Sequence, residues 1–155
     1  PPPFRPGRAL IGLGKGRMIV AFHLEDRGLS ASDVILFGRS LGASVAARLA
    51  AQHRPLALIV ESSFSSIPDI AQELYPWLPA RWMSRYSHAT RDYVRDVHSP
   101  LLVVHSRDDD IIPFHHGEAI FASANEPRTL LVLRGTHNDA FLRDESTYIE
   151  GLRTF

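Results

Sequence analysis

The sequence predicts an α/β fold in which about four parallel strands are covered by helices. From about residue 33 onward, short apolar runs alternate with stretches of helical spacing. That alternation is typical of a parallel sheet with helices on its faces. The apolar runs are nearly continuous, as expected for strands that are buried on both sides. Right-handed crossovers between neighbouring strands follow from this arrangement.

The predicted elements follow one another along the chain. The first strand, Val34–Phe37, leads into an Ala-rich helix over Leu41–His53, which ends before Pro55 because proline cannot continue a helix. A further helix is expected over Arg17–Arg27, with Gly28 at its C-terminal end. The other predicted elements are strands Leu56–Glu61, Leu101–His105 and Thr129–Arg134 and helices His115–Ala124 and Ala140–Leu152.

Two segments stand apart from this pattern. Residues 1–17 are rich in Pro, Gly and Arg and are expected to be irregular, so the predicted domain spans 18–155. Within it, residues 62–98 read as a cap-like insertion, since connections of this length are usually functional. Its aromatic residues either form a substrate pocket or only pack short helices onto the core. The pocket candidates are Phe64, Trp77 and Trp82.

Composition excludes several classes of function. The chain of 155 residues has 17 basic and 17 acidic residues, so bulk charge does not point to a nucleic-acid partner. It has no cysteine, which excludes a thiol nucleophile and a thiolate metal site. No apolar stretch approaches the roughly 18–20 residues of a membrane span, and we expect a cytoplasmic protein.

The histidines give no sign of a metal site. His115 and His116 are adjacent in a predicted helix, where neighbouring residues point to different sides, and they lack the usual ligand spacing. No metal and no cofactor is therefore predicted.

The clearest chemical motif is Gly38-Arg-Ser-Leu-Gly42, which lies between a predicted strand and a predicted helix. A G-x-S-x-G sequence in that position forms a sharp turn that exposes the serine hydroxyl. Gly38 and Gly42 lack a Cβ, so strand and helix are expected to approach closely around Ser40. Ser40 is the candidate nucleophile.

A serine nucleophile needs a base and a third group that holds the base. His137 follows the last predicted strand and is the candidate base; the acid should follow the third strand. The run Asp108-Asp-Asp110 lies there, and spacing alone does not choose among its three members. Glu61, at the end of the second strand, is a weaker candidate for the acid.

These motifs resemble those of the α/β-hydrolase superfamily, in particular its serine aminopeptidase-like and acyl-ester hydrolase-like members. The matching segments are Leu36–Ala43, Val60–Ser66, His105–Pro113 and Gly135–Asp139. In that family the third-strand motif reads His-Gly-x-x-Asp-x-x-Val/Ile-Pro, so the resemblance implies that Asp109 is the catalytic acid. Ser106 stands where the family usually has glycine.

The resemblance also implies parts that have no counterpart here. Family members carry further strands before the serine, including a His-Gly turn that completes the oxyanion hole. The chain is therefore expected to be the C-terminal part of such a fold, with the Leu41 N–H as one oxyanion donor. One edge of strand 34–37 is expected to lie open, which suggests a homodimer or a partner chain on that edge.

Two functions follow as hypotheses. The first is a serine hydrolase that cleaves an ester, thioester or amide of an apolar acyl group with Ser40, His137 and Asp109. The second is a catalytically impaired remnant of such an enzyme that acts as a binding or structural module, because losing one oxyanion donor lowers turnover by roughly 10²–10³-fold.

Overall fold

The computed structural model describes residues 28–77 and 88–155. Within them, four parallel strands form one sheet in the order β1-β2-β3-β4, which confirms the predicted fold class. The strand ends differ from the prediction by one or two residues. The strands are β1 Ile35–Arg39, β2 Ala57–Glu61, β3 Leu101–Ser106 and β4 Arg128–Leu133.

Six helices and two 3₁₀ turns are described around this sheet. The predicted final helix over Ala140–Leu152 is wrong in one respect, because Asp144 leaves the helical conformation (φ −118°, ψ 43°) and divides it in two. The helices are α1 Leu41–His53, α2 Ile67–Leu74, α3 Thr90–Tyr93, α4 Phe114–Ser123, α5 Ala140–Arg143 and α6 Glu145–Thr154, and the 3₁₀ turns are Ala31–Asp33 and Val94–Asp96.

One face of the sheet packs against α1, α3 and α4. Helix α1 buries a row of alanines, whose small side chains let it lie close to β1 and β2. Val60, Val103 and Ile120 are fully buried in the same cluster. This close packing places the N-terminal end of α1 directly beyond β1.

The other face packs against α5 and α6. Leu102, Val104 and Leu133 form its buried centre, and Tyr148 and Leu152 of α6 lie against it. Strands β2 and β3 are buried along their whole length because both faces and both edges are covered. The carboxyl ends of all four strands meet at one edge of the sheet, where ligands bind in parallel α/β folds.

Strand β1 ends the sheet: in the described part of the chain it pairs with β2 only. The irregular start over residues 1–17 and the helix predicted over Arg17–Arg27 lie outside the described residues. None of the helices described in 28–77 and 88–155 combines the length and apolar character needed to cross a bilayer.

Candidate active site

Ser40 occupies a strained turn between β1 and α1. Its φ of 52° and ψ of −124° lie in a region that residues with a Cβ seldom adopt, at a cost on the order of 1–3 kcal/mol. Two contacts hold the turn: the Ser40 N–H donates to the Glu61 carbonyl (2.9 Å), and the Ser63 hydroxyl donates to the Ser40 carbonyl (3.1 Å). Ser63 is a supporting residue whose role no sequence motif indicated.

The two glycines of the motif have different roles. A Cβ on Gly38 would lie 2.5 Å from the Cα of Ala43, so only glycine allows β1 and α1 to approach as they do. A Cβ on Gly42 would meet nothing within 4 Å. The expectation that both glycines serve the close approach is therefore wrong for Gly42, which faces open space.

The structure brings His137 together with Asp109. The Nδ1 atom of His137 lies 2.8 Å from Oδ2 and 3.1 Å from Oδ1 of the carboxylate. Because a carboxylate only accepts hydrogen bonds, Nδ1 carries the proton, which leaves the lone pair of the neutral ring on Nε2. The side chain of Asp109 is fully buried, and that of His137 is nearly so.

The three consecutive aspartates have three different environments. Asp109 accepts hydrogen bonds from the N–H groups of Ile111 (3.0 Å) and Ile112 (2.8 Å). Asp110 accepts one from the His137 N–H (2.9 Å), so it holds the backbone of the histidine loop. Asp108 is half-exposed and pairs with Arg134 at 3.3 Å. Nothing in the sequence indicated that Asp110 holds this backbone.

His105 lies beside the buried carboxylate but does not neutralise it. Its Nε2 donates to the Ile112 carbonyl (2.9 Å) and lies 3.6 Å from Oδ2 of Asp109. Burial lowers the pKa of His105 below its usual value, against the opposing effect of Asp109. The ring is therefore neutral near pH 7, and the charge of Asp109 acts on His137.

Arg39, the residue before Ser40, connects the serine turn to the histidine loop. Its Nη2 donates to the His137 carbonyl, and its Nε lies 3.1 Å from Oε1 of Glu61. Tyr148 donates to the other oxygen of that buried carboxylate (2.7 Å). Burial, together with Glu61, raises the pKa of Tyr148. Glu61, the weaker candidate for the acid, thus pairs with Arg39 and Tyr148.

Ser106 joins the loops that carry Asp109 and His137. Its hydroxyl donates to the Gly135 carbonyl (2.5 Å) and accepts from the Asp108 N–H (3.1 Å). Gly135 has a φ of 117°, where a Cβ would lie 2.9 Å from the Cα of Ala140. The sharp turn before His137 therefore requires glycine.

The other predicted site residues are spread over the molecule. Leu41 is the first residue of α1, so its N–H has no carbonyl partner within the helix, and its side chain is half-exposed beside Ser40. Phe64 is buried, whereas Trp77 is 79% exposed and contacts the edge of Tyr75. Trp82 lies outside the described residues.

The expectation that His115 and His116 point to opposite sides of a helix is wrong. Their ring centroids are 4.5 Å apart, and the planes are tilted by 30°. Both residues lie in the first turn of α4, directly after Pro113, and both rings turn toward Glu73 on α2.

The arrangement can activate a serine hydroxyl. Asp109 fixes the tautomer of His137, and the free Nε2 is the atom that would take a proton from Ser40. Among the described residues, no hydrogen bond joins the Ser40 hydroxyl to His137. Such contacts are often long before substrate binds.

Comparisons with known proteins agree on the fold. The chain is 37% identical over 123 residues to the uncharacterized protein Rv2307c of Mycobacterium tuberculosis (strain ATCC 25618 / H37Rv), covering 79% of this chain and 44% of that protein. It is 30% identical over 129 residues to the human alpha/beta hydrolase domain-containing protein 17B, covering 83% and 43% respectively. The chain thus spans less than half the length of these relatives.

Solved structures of other proteins share the architecture of this chain. The esterase domain of a Rhodothermus marinus protein superposes with a TM-score of 0.63 at 21% identity, covering 93% of this chain and 70% of that one. No protein-family profile matches the chain. The sheet, its order and these similarities show that the chain belongs to the α/β-hydrolase superfamily.

Proposed function

We propose that this chain is a serine hydrolase in which Ser40 is the nucleophile, His137 the general base and Asp109 the residue that holds the base. The observation that carries the proposal is the pairing of His137 with the buried carboxylate of Asp109, 2.8 Å apart, at the sheet edge where Ser40 occupies its strained turn. Support also comes from the similarity to the esterase domain of the Rhodothermus marinus protein.

The mechanism follows from the roles proposed for these three side chains. The Ser40 hydroxyl attacks the substrate carbonyl carbon while Nε2 of His137 takes its proton. The oxyanion that forms accepts a hydrogen bond from the Leu41 N–H. His137 then gives the proton to the leaving oxygen, sulfur or nitrogen, which departs and leaves an acyl group on Ser40. Water, activated in the same way, releases the acid.

The proposed substrate is an ester, thioester or amide of an apolar acyl group. Leu41 offers a half-exposed apolar side chain beside the nucleophile, and Phe64 follows Ser63, which contacts the Ser40 carbonyl. Leu41 gives the serine turn an apolar border. An acyl chain bound there would gain roughly 0.8 kcal/mol for each buried methylene group.

Turnover of p-nitrophenyl esters tests the chemistry and the substrate class together. We expect hydrolysis that becomes more efficient from acetate to hexanoate and is lost in both Ser40→Ala and His137→Ala. Ser146→Ala is the matched control, because Ser146 is an exposed serine on α6 that takes no part in the contacts described for the site. Equal turnover by the intact chain and Ser40→Ala would refute the proposal.

The second candidate is a binding module derived from such an enzyme and without turnover. The lack of a hydrogen bond between the Ser40 hydroxyl and His137 in the described structure favours it. The same ester assay decides between the two, since a binding module would show no rate that depends on either residue.

A further inference from the structure

Three side chains outside the proposed active site converge on one point. Glu73 lies near the C-terminal end of α2, and His115 and His116 lie in the first turn of α4. Oε1 of Glu73 is 2.9 Å from Nε2 of His115 and 3.3 Å from Nε2 of His116. The three candidate ligand atoms all lie within 4.8 Å of one another.

His116 is buried, and its Nδ1 atom lies against Ser65. Its side chain is 1% exposed, and its Nδ1 lies 2.9 Å from the Ser65 hydroxyl. That hydroxyl donates to Oδ2 of Asp69 (2.8 Å), so it can accept the Nδ1 proton of His116. A ligand histidine typically donates its second ring N–H in this way, which fixes the ring and leaves Nε2 as the ligand atom.

The Nε2 atom of His116 has no hydrogen bond although it is buried. Glu73 is near enough, but its oxygen is not in hydrogen-bond geometry. The Ser65 N–H donates to Nδ1 (3.2 Å), which favours the tautomer with the ring proton on Nε2 when no metal is bound. In that tautomer a buried N–H has no acceptor. In either tautomer the buried Nε2 has no hydrogen-bond partner. A cation bound to Nε2 would supply that partner in the tautomer that presents a lone pair there.

The distances suit a small divalent metal. Ligand atoms around tetrahedral Zn²⁺ are about 3.3 Å apart, since each lies about 2.0–2.1 Å from the ion. Two imidazoles and one carboxylate form a donor set typical of zinc sites that keep a fourth position for water or another ligand. The three side chains line a pocket of about 230 Å³ that also includes Gln72 and Arg91. Arg91 pairs with Asp69 at 3.6 Å, so its charge is partly offset.

From these contacts we propose that Glu73, His115 and His116 form a binding site for one divalent transition-metal ion, with Zn²⁺ the best match. The ion would join α2, the first helix of the cap-like insertion, to α4, which begins five residues after the catalytic-acid candidate Asp109. Binding would therefore stabilise the base of the insertion against the loop that carries Asp109.

Titration of the chelator-treated full chain with Co²⁺ and Zn²⁺ tests this. Co²⁺ should give the visible absorption of a tetrahedral site, saturating at one ion per chain, and Zn²⁺ should displace it and raise the midpoint of thermal unfolding. Glu73→Gln and His115→Ala should each weaken binding by at least about tenfold. Neither is expected to prevent folding, because both side chains are at least 40% exposed.

The matched control is His53→Ala, which removes an exposed histidine at the end of α1. Affinity equal to that of the intact chain in Glu73→Gln and in His115→Ala would refute the site, as would a lack of saturable Co²⁺ binding. Ser40→Ala should bind the ion as the intact chain does. Metal binding by that variant supports the site even if the intact chain hydrolyses no ester, so failure of one proposal is distinguishable from failure of the other.

Discussion

Asp109 differs from its two neighbours in burial rather than in chemistry. Its carboxylate is fully buried, accepts two backbone N–H groups and faces Nδ1 of His137, whereas Asp108 is half-exposed beside Arg134. A buried carboxylate can hold one tautomer of a histidine more firmly than an exposed one, because water screens the charge of an exposed carboxylate.

Asp109→Asn should lower kcat by about 10³–10⁴-fold, since an amide no longer favours the proton on Nδ1 of His137. Asp108→Asn is the matched control and should leave kcat nearly unchanged. Ester turnover at saturating substrate measures both. A similar loss in the two variants would contradict the assignment of Asp109.

Gly38→Ala and Gly42→Ala form a second matched pair. The new methyl group at 38 would lie 2.5 Å from backbone that cannot move away, so we expect a loss of about 1–3 kcal/mol in the free energy of unfolding. At 42 it meets open space in a helix, and stability should stay within about 1 kcal/mol of the intact chain, on the stabilising side. Urea unfolding distinguishes them, and an equal loss at both positions would show that the turn is packed differently.

Among the elements, the side chain of Arg39 links the ends of β1 and β2 to the loop beyond β4. Arg39 extends from the end of β1 to Glu61 at the end of β2 and to the His137 carbonyl beyond β4. Because the proposed base lies three strands away from the proposed nucleophile, such a link helps to set their separation. We therefore regard Arg39 as a positioning residue.

Arg39→Ala should lower kcat by roughly 10–100-fold with little change in KM, because displacement of a catalytic group by about 1 Å can cost that much. Arg39→Lys should recover only part of the loss. A lysine keeps the positive charge, but it cannot contact Glu61 and the His137 carbonyl together in the same planar geometry. Arg48→Ala, at an exposed position on α1, is the control. An unchanged kcat in Arg39→Ala would rule out the positioning role.

The elements could be predicted from the sequence more completely than the site. Apolar runs and the Ala-rich stretch after Ser40 indicated all four described strands and helix α1, because burial on two faces leaves a continuous pattern. The break at Asp144 and the convergence of His115 with His116 were not predictable, since both depend on tertiary contacts to Arg134 and Glu73. The same holds for Ser63 and Asp110, which act through backbone groups that leave no motif.

For the chain as a whole, the buried histidines link stability to pH. Burial lowers the pKa of His105 in the folded chain, while the unfolded chain has the ordinary value of about 6.5. The unfolded state therefore binds more protons below that pH, so stability is highest above about pH 6.5 and falls as the pH drops toward the lowered folded pKa. His116, whose pKa is also lowered by burial, acts in the same direction.

We expect the free energy of unfolding in urea to decrease from pH 7.5 to pH 5.5. In His105→Asn the decrease should be smaller, though not absent, because His116 still contributes. The urea midpoint and the slope of the unfolding free energy against urea concentration are measured separately. An unchanged slope shows that the same unfolding reaction is followed at both pH values. A pH dependence identical to that of the intact chain would show that His105 is not the group responsible.

The central claim, that Ser40 is a nucleophile activated by His137 and Asp109, is tested most directly by labelling with a fluorophosphonate probe and locating the adduct by mass spectrometry. We predict one adduct per chain, on Ser40, at a rate that falls sharply in His137→Ala while Ser146→Ala labels normally. Labelling of Ser40→Ala as fast as the intact chain, or an adduct on another serine, would contradict the claim.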